Sequence, residues 1–497
     1  MKRYVIGIDQ STQGTKALLF DEKGTLTARQ DAPHMQHISA QGHVSHDLEE
    51  IYRNVRDVTE RLISRAEILP EEVACIGISN QRETVGVWDR KTGHPLEMAI
   101  VWQCARAQEQ CERVRTAENE EMIRSRTGIP LSPYFGAAKI AWYLENRPEI
   151  RKAAEAGEAC FGTVDSYLLY RLTKGACFAT DYSNASRTQL FDIDRLCWDE
   201  EICGLFGIRT AWLPRVQDSD SLFGMTTMEG LFPDPVPVHA MLGDSHGALF
   251  GQNCRRAGML KATYGTGSSI MLHTGERRIT SRHGLVTSLA WGRRGHVEYV
   301  LEGNINYTGA VISWLQKDVG LFENPAESDE LARQANPEDR CCLVPAFSGL
   351  GAPYWSSNAR ASLRNMSRST GRAEIVRAGL DCIAWQIADV LEAMREDAQM
   401  EIRELRVDGG PTRNTYLMQF QSDAADLDVQ AADTEELSAI GAACMAGLAA
   451  GFYEEKDLEG RITYTGYRPH MDAKERKNRQ ADWKAAVRDT CREAKEV

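Results

Sequence analysis

Tyr4-Val5-Ile6-Gly7-Ile8-Asp9-Gln10-Ser11-Thr12-Gln13-Gly14-Thr15-Lys16-Ala17-Leu18-Leu19-Phe20 opens the chain and frames every later reading. Tyr4 to Ile8 is apolar and rich in β-branched residues, which predicts a buried strand. Ala17 to Phe20 predicts a second strand, closed by the turn Asp21-Glu22-Lys23-Gly24. Between them, small hydroxyl residues and a glycine can aim backbone N–H groups at one point and so hold an anion. Lys16 adds a positive charge, and Asp9, at the strand end, is placed to hold a divalent cation beside phosphates. The same residues also suit a plain polar hairpin capped by Asp9, and the spacing is not that of a Walker A loop.

The second half starts in the same way. Lys261-Ala262-Thr263-Tyr264-Gly265-Thr266-Gly267-Ser268-Ser269-Ile270-Met271-Leu272 again reads strand, small-residue turn, strand. Two such hairpins predict a duplicated domain, and two nests can grip a phosphate chain from opposite sides.

A length of 497 residues predicts about two to three domains. The net charge of −13 argues against nucleic acid or an anionic membrane as partner. Small phosphate ligands stay open, because they need only local positive potential. The 13 cysteines are odd in number and show no C-x-x-C pair, so they read as buried free thiols in a reducing cytosol. The chain runs at once into a strand and holds no apolar run of membrane-spanning length. A cytoplasmic protein without a signal peptide is expected.

Asp47 with Glu50 predicts a capping box, and Leu48, Ile51, Val55, Val58 and Leu62 one buried helix face. Val73 to Ser79 reads as a strand, so the opening is α/β. That strand runs into Asn80-Gln81-Arg82-Glu83-Thr84. Open α/β sheets bind ligands outside such strand ends. Arg82 and Glu83 supply donors and acceptors for neighbouring hydroxyls, or else form a surface ion pair. Ala99 to Cys104 predicts an apolar strand, in which Trp102 suits core or ligand contact, and Tyr134 lies in a loop. Asp181 to Arg187 is polar and irregular and carries no chemistry by itself. Asp244 tips the strand Ala240 to Gly243, where it can accept a proton from a substrate hydroxyl or cap the next helix; His246 reads as structural. Ile375 to Met394 predicts a long amphipathic helix. Gly409-Gly410 permits close approach of a flat ligand such as adenine, or serves a tight strand–helix turn. Ser438 to Ala443 is small-residue helix suited to close packing, and Asp472 to Val497 predicts a solvated terminal helix.

Taken together these stretches resemble the FGGY carbohydrate kinases, and among them the glycerol kinases. The pieces that carry the resemblance are Ser79 to Thr84, Ala99 to Cys104, Asp181 to Thr188, Thr263 to Gly267, Pro345 to Trp355 and Arg406 to Gly410. It runs nearly end to end. It implies an α/β fold of two actin-like, ribonuclease-H-like domains, residues 1–252 and 253–497, with ATP and Mg²⁺ in the cleft between them. It implies Asp244 as general base and Asp9 as the Mg²⁺–phosphate aspartate. Thr12, Gly14 and Lys16 fall on the first phosphate loop, and Thr266 and Gly267 on the second. Gly309, Ser313, Gly410 and Asn414 fall at nucleotide positions. Arg82, Glu83, Trp102, Tyr134, Asp244, Ser245 and Ser269 fall in the polyol pocket. The implied partner is a small polyol or sugar, with a homo-oligomer, dimer or tetramer, left open.

The departures bear on the acceptor. Ser245 stands where glycerol kinases carry glutamine, and Ser269 where they place phenylalanine against the glycerol carbons. Gln13, Gly14 and Lys16 replace threonine, serine and arginine, and Ser313 replaces a glutamine. Asp244-Ser245-His246 is similar to the Asp-Ala-His of ribulokinases. A wider, more polar pocket follows, expected to take a larger polyol or a ketose, with glycerol itself and the ketopentoses as rivals. The fold also serves chaperone-like ATPases and sugar sensors. A chaperone is expected to carry a peptide-binding domain after the ATPase and a DNA-binding sensor a basic helical module before the first hairpin, and neither is expected of this chain, which favours the kinase reading.

Overall fold

The computed structural model describes residues 2–458 and 460–496. The opening stretch forms the strands Tyr4–Gln10 and Gly14–Phe20, paired antiparallel from Val5↔Phe20 to Gln10↔Thr15. They belong to a six-stranded sheet in the order Gly224–Thr226, Val236–Gly243, Val73–Asn80, Tyr4–Gln10, Gly14–Phe20, Leu26–Pro33. The last three strands are antiparallel, the next two run parallel to Tyr4–Gln10, and Gly224–Thr226 closes the edge antiparallel.

A seven-stranded sheet repeats this plan from Leu260–Tyr264 and Ser268–Gly275. On one side lie the antiparallel strands His296–Ile305 and Val286–Arg293. On the other lie the parallel strands Glu404–Asp408 and Asp428–Ala432, then Tyr464–Tyr467 antiparallel. The two hairpins are thus equivalent members of a duplicated mixed sheet. A five-stranded sheet inserted in the first half holds Val85–Asp89, Ala99–Ile100 and Ala159–Thr163 beside the short pair His37–Ile38 and Val44–His46.

The helix Leu48–Arg65 buries Leu48, Ile51, Val55, Val58 and Leu62 against the first sheet, as the periodicity predicts. Asp47 caps it by accepting from the Glu49 amide at 2.9 Å. The expected capping box does not close: the Glu50 carboxylate instead accepts from the Met35 amide at 3.2 Å. The long helix Arg372–Ala398 supports the second sheet.

Late in the chain, the helix Leu437–Ala449 returns to pack on the first sheet and on the helix Asp244–Gly251. Glycine permits this approach. A Cβ on Gly441 would lie 1.9 Å from the Gly247 carbonyl oxygen, well inside van der Waals contact. Around this helix, Val5, Leu18 and Leu242 of the first sheet share one apolar cluster with Met271, Trp291 and Val300 of the second.

Three further expectations need correction. The apolar strand after Pro95 is only Ala99–Ile100, because the chain turns at Trp102, whose Nε1 donates to Thr12 Oγ1 at 2.9 Å. Not all thiols are buried: Cys197 is exposed and Cys177, Cys342 and Cys491 are half-buried. The terminal helix Ala473–Glu496 is not merely solvated, since Trp483, Ala486 and Val487 share a face that is buried. Trp483 Nε1 donates to Asp389 at 2.6 Å. Val497 lies outside the described residues. Among the described residues no helix is long and apolar enough to cross a membrane.

Gly441→Ala is expected to destabilise the fold by about 1–3 kcal/mol through overpacking. Gly204→Ala is expected to be neutral or stabilising by up to about 1 kcal/mol, because its Cβ would meet nothing within 4 Å in the helix Glu200–Leu205. Denaturant midpoints of the two variants test the ordering.

Candidate active site

Strand register assembles the site. Asp9 pairs with Ser79, and Asn80 pairs with Gly243, so the carboxyl ends of three strands lie side by side. Asp9, the Arg82–Glu83 turn and Asp244 therefore converge on one edge of the first sheet. This is the place where open α/β sheets take ligands.

Asp9 is buried and its Oδ1 has no hydrogen-bond partner. Burial raises its carboxyl to about 6. Lys16 opposes that rise, and the negative charges of Asp244 and Glu436 add to it. A carboxylate in that setting fits a divalent cation. Among the described residues no cluster of three or more His, Cys, Asp or Glu forms a closed metal cage. A cation at Asp9 would thus take most of its ligands from water and phosphate, as Mg²⁺ commonly does.

In the first hairpin the Ser11 amide and hydroxyl both donate to the Gly14 carbonyl, at 2.9 and 3.0 Å, and close the turn. Thr12 Oγ1 accepts from Trp102 Nε1 at 2.9 Å. Lys16 Nζ lies 3.0 Å from Glu436 Oε2, and Arg29 holds the other oxygen of Glu436 at 2.6 Å. In the second hairpin the Gly265 and Thr266 carbonyls accept from the amides of Gly309, Thr308 and Ala310, at 2.9, 2.8 and 3.1 Å. Gly267 completes that turn, and Ser313 is half-buried at the end of the helix Gly309–Ser313.

The double glycine divides its labour. Gly409 has φ +100°, and a Cβ there would lie 2.1 Å from the Tyr264 carbonyl oxygen, so the tight turn demands glycine. A Cβ on Gly410 would meet nothing within 4 Å, which leaves open space beside the backbone. Asn414 caps the helix Thr415–Ala425, accepting from Leu417 N at 2.8 Å and donating to Ser328 at 3.0 Å.

Arg82 and Glu83 are not a surface ion pair; they are 5% and 2% exposed. Arg82 forms a fork with Glu302, at 3.1 and 2.8 Å, and its Nε lies 3.2 Å from Asp244 Oδ1. Arg187 bridges Glu83 at 2.6 Å and Glu302 at 2.8 Å. Flanking carboxylates hold the Arg82 guanidinium well above its usual range despite burial. The Glu302 carboxyl is held well below its own against the same burial by the two arginines. Ser269 joins this lattice, donating to Glu302 at 3.0 Å. Arg82, Glu83, Arg187 and Asp244 come from the first half of the chain, and Ser269 and Glu302 from the second.

Asp244 is the first residue of its helix; the cap position falls to Gly243. Its side chain is 34% exposed, enough to keep the carboxylate in touch with the crevice. Ser245 beside it is half-buried, with its amide donating to Asp244 Oδ1 at 2.7 Å. His246 is fully buried against Ser288, the structural role expected for it. Trp102 and Tyr134 are half-buried partners with ring centroids 5.5 Å apart. Trp102 thus links the first hairpin to Tyr134 while its half-buried ring also packs against the core around Val85 and Ile100.

The family profile of the FGGY carbohydrate kinases matches residues 4–251 by its N-terminal domain and 260–450 by its C-terminal domain. The chain belongs to this family: it is a carbohydrate kinase, a phosphotransferase with an alcohol group as acceptor. It is 43% identical over 487 residues to Glycerol kinase 2 of Thermotoga maritima, covering 98% of each chain. It is 40% identical over 491 residues to a glycerol kinase of Natranaerobius thermophilus, covering 99% of each. The structure of Plasmodium falciparum glycerol kinase with ADP superposes at a TM-score of 0.91, with 35% identity and 98% coverage of both chains. The fold is the two-domain α/β kinase fold of these relatives.

Sequence reading missed Arg187 and Glu302. Glu302 ends the apolar run Tyr299-Val300-Leu301 of a buried strand and Arg187 lies in the polar stretch Asp181 to Thr188, and only the tertiary fold sets them against Arg82 and Glu83. Glu302→Ala takes one carboxylate partner from each of two buried guanidinium groups and is expected to cost about 3–5 kcal/mol of stability. Chemical denaturation tests this, and an unchanged midpoint would show that the lattice adds nothing net.

Proposed function

We propose that the chain transfers the γ-phosphoryl group of ATP to a primary hydroxyl of a small polyol, with glycerol the acceptor its full-length relatives best support. The observation that carries this reading is the convergence of Asp9, Arg82, Glu83 and Asp244 on one sheet edge, tied through Glu302 and Ser269 to the second hairpin.

In this mechanism Asp244 accepts the proton of the attacking hydroxyl as its oxygen bonds to the γ-phosphorus. The bond from that phosphorus to the β–γ bridging oxygen breaks, and ADP leaves. Arg82 and Glu83 fix the neighbouring hydroxyls, while Trp102 and Tyr134 wall the carbon chain and exclude water. Asp9 would hold Mg²⁺, which supplies positive charge to the phosphates. The backbone turns at Thr12–Gly14 and Thr266–Gly267, with Gly309, would cradle the phosphate chain. Lys16, Ser313, Gly410 and Asn414 would border the nucleotide, with the open space beside Gly410 suited to a flat base. Such transfer rests on positioning and electrostatics rather than on a covalent intermediate.

One observation favours a second acceptor. Ser245 and Ser269 are small and polar, and the Ser269 hydroxyl is directed to Glu302 instead of presenting an apolar wall. A larger polyol or a ketopentose would use that extra, wetter space.

Asp244→Asn is expected to lower kcat by at least about 10²-fold with ATP affinity nearly unchanged. Near-normal turnover would reject Asp244 as the base. In a panel of glycerol, erythritol, pentitols, xylulose and ribulose, glycerol is expected to give the highest kcat/KM. A longer acceptor exceeding it by about tenfold moves the assignment to the second reading. ADP release independent of every polyol would remove the kinase reading altogether.

A further inference from the structure

Lys139 lies inside the helix Gly136–Asn146 and is fully buried. Its ammonium donates to the backbone carbonyls of Glu83 at 2.8 Å, Trp102 at 3.4 Å, and Tyr134. An ammonium has three donors and no acceptor, so three carbonyls saturate it. Those three carbonyls belong to the three acceptor-pocket residues that sit on separate connections. Glu83 follows the strand Val73–Asn80, Trp102 follows Ala99–Ile100, and Tyr134 precedes the helix that carries Lys139.

We infer that Lys139 is a positioning residue that sets the width and orientation of the acceptor pocket by pinning these three loops to one point. The inference rests on the polyol-kinase reading above and names the device that fixes its acceptor geometry.

A further observation supports it. Glu83 has φ +59°, a left-handed conformation that a residue with a Cβ holds only under external constraint. Its carbonyl is pinned by Lys139 and its carboxylate by Arg187, so the strained turn is held at both ends. Burial also ties this lysine to stability. Burial pulls the Lys139 ammonium down to about 7; Glu83, Cys104 and Cys111 raise it and Arg106 lowers it. The folded value lies below that of the unfolded chain, so between the two the unfolded chain binds the additional proton and stability rises with pH. Below about 7 the whole penalty of burying the charge is present. The three backbone carbonyls around one nitrogen make the lysine the common anchor for the pocket loops.

The test is steady-state kinetics of the full chain with the best acceptor of the panel, varying acceptor and ATP separately. Lys139→Met fills the same space without donors. It is expected to raise the acceptor KM by about tenfold or more while the ATP KM stays within about twofold. Lys139→Gln keeps two donors and is expected to fall between Met and wild type. An acceptor KM within about twofold of wild type in Lys139→Met overturns the inference, as does a parallel rise of both KM values, which marks a general loss of structure. If Lys139→Met does not fold, Lys139→Gln decides by the same split. Wild-type enzyme that phosphorylates no polyol would instead sink the kinase reading, so the two failures are distinguishable.

Discussion

Charge balance in a closed space governs this molecule. Arg82, Glu83, Arg187 and Glu302 are each at most 5% exposed, and they alternate in sign. Two guanidinium groups and two carboxylates cancel, and each guanidinium has a carboxylate on either side. Burying any one of them alone would cost several kcal/mol, so the set is stable only when complete. Completion requires both lobes, because Glu302 comes from the second sheet and the other three from the first half. The lattice therefore couples lobe docking to the orientation of Arg82. Arg82 in turn lies against Asp244, the one carboxylate of the group that reaches the crevice.

A second device works at close range. The helix Leu437–Ala449 packs against the first sheet through glycine and alanine, with backbone approaching backbone. Just before it, Glu436 holds Lys16 and Arg29; at its start, the Ser438 hydroxyl donates to the Asp244 carbonyl at 2.9 Å. One late segment thus touches both the first hairpin and the backbone of the proposed base. Movement between the lobes would be felt at both, as expected in kinases that close around their substrates.

Acceptor choice draws on two kinds of argument. One is the full-length identity of 40–43% to proteins named glycerol kinases. The side chains at 245 and 269 speak for a roomier and more polar pocket. The structure sharpens this contrast, because Ser269 is a member of the ion lattice and not a bystander. A hydroxyl there turns part of the wall from an apolar surface into a hydrogen-bonded one, and such a change alters which hydroxyls an acceptor can leave unpaired.

Much of the architecture was legible because it is local. The strand–turn–strand pattern at Asp9 and its repeat at Thr266 depend on neighbours in sequence, and they gave the duplicated α/β plan. The helix face from Leu48 to Leu62 followed from spacing alone. Asp244 and Asp9 could be singled out because strand ends are marked by a change from apolar to polar residues. Arg187, Glu302 and Lys139 could not. Local sequence does not say which charges these side chains meet, and their meaning lies in partners up to 220 residues away. The same limit explains the terminal helix, whose charged residues hid the packed face of Trp483. Sequence determined where strands end and which residues stand at their tips, because backbone propensity and burial period act over a few residues. Only the tertiary fold decided which charges meet, because desolvation depends on everything that closes over a side chain.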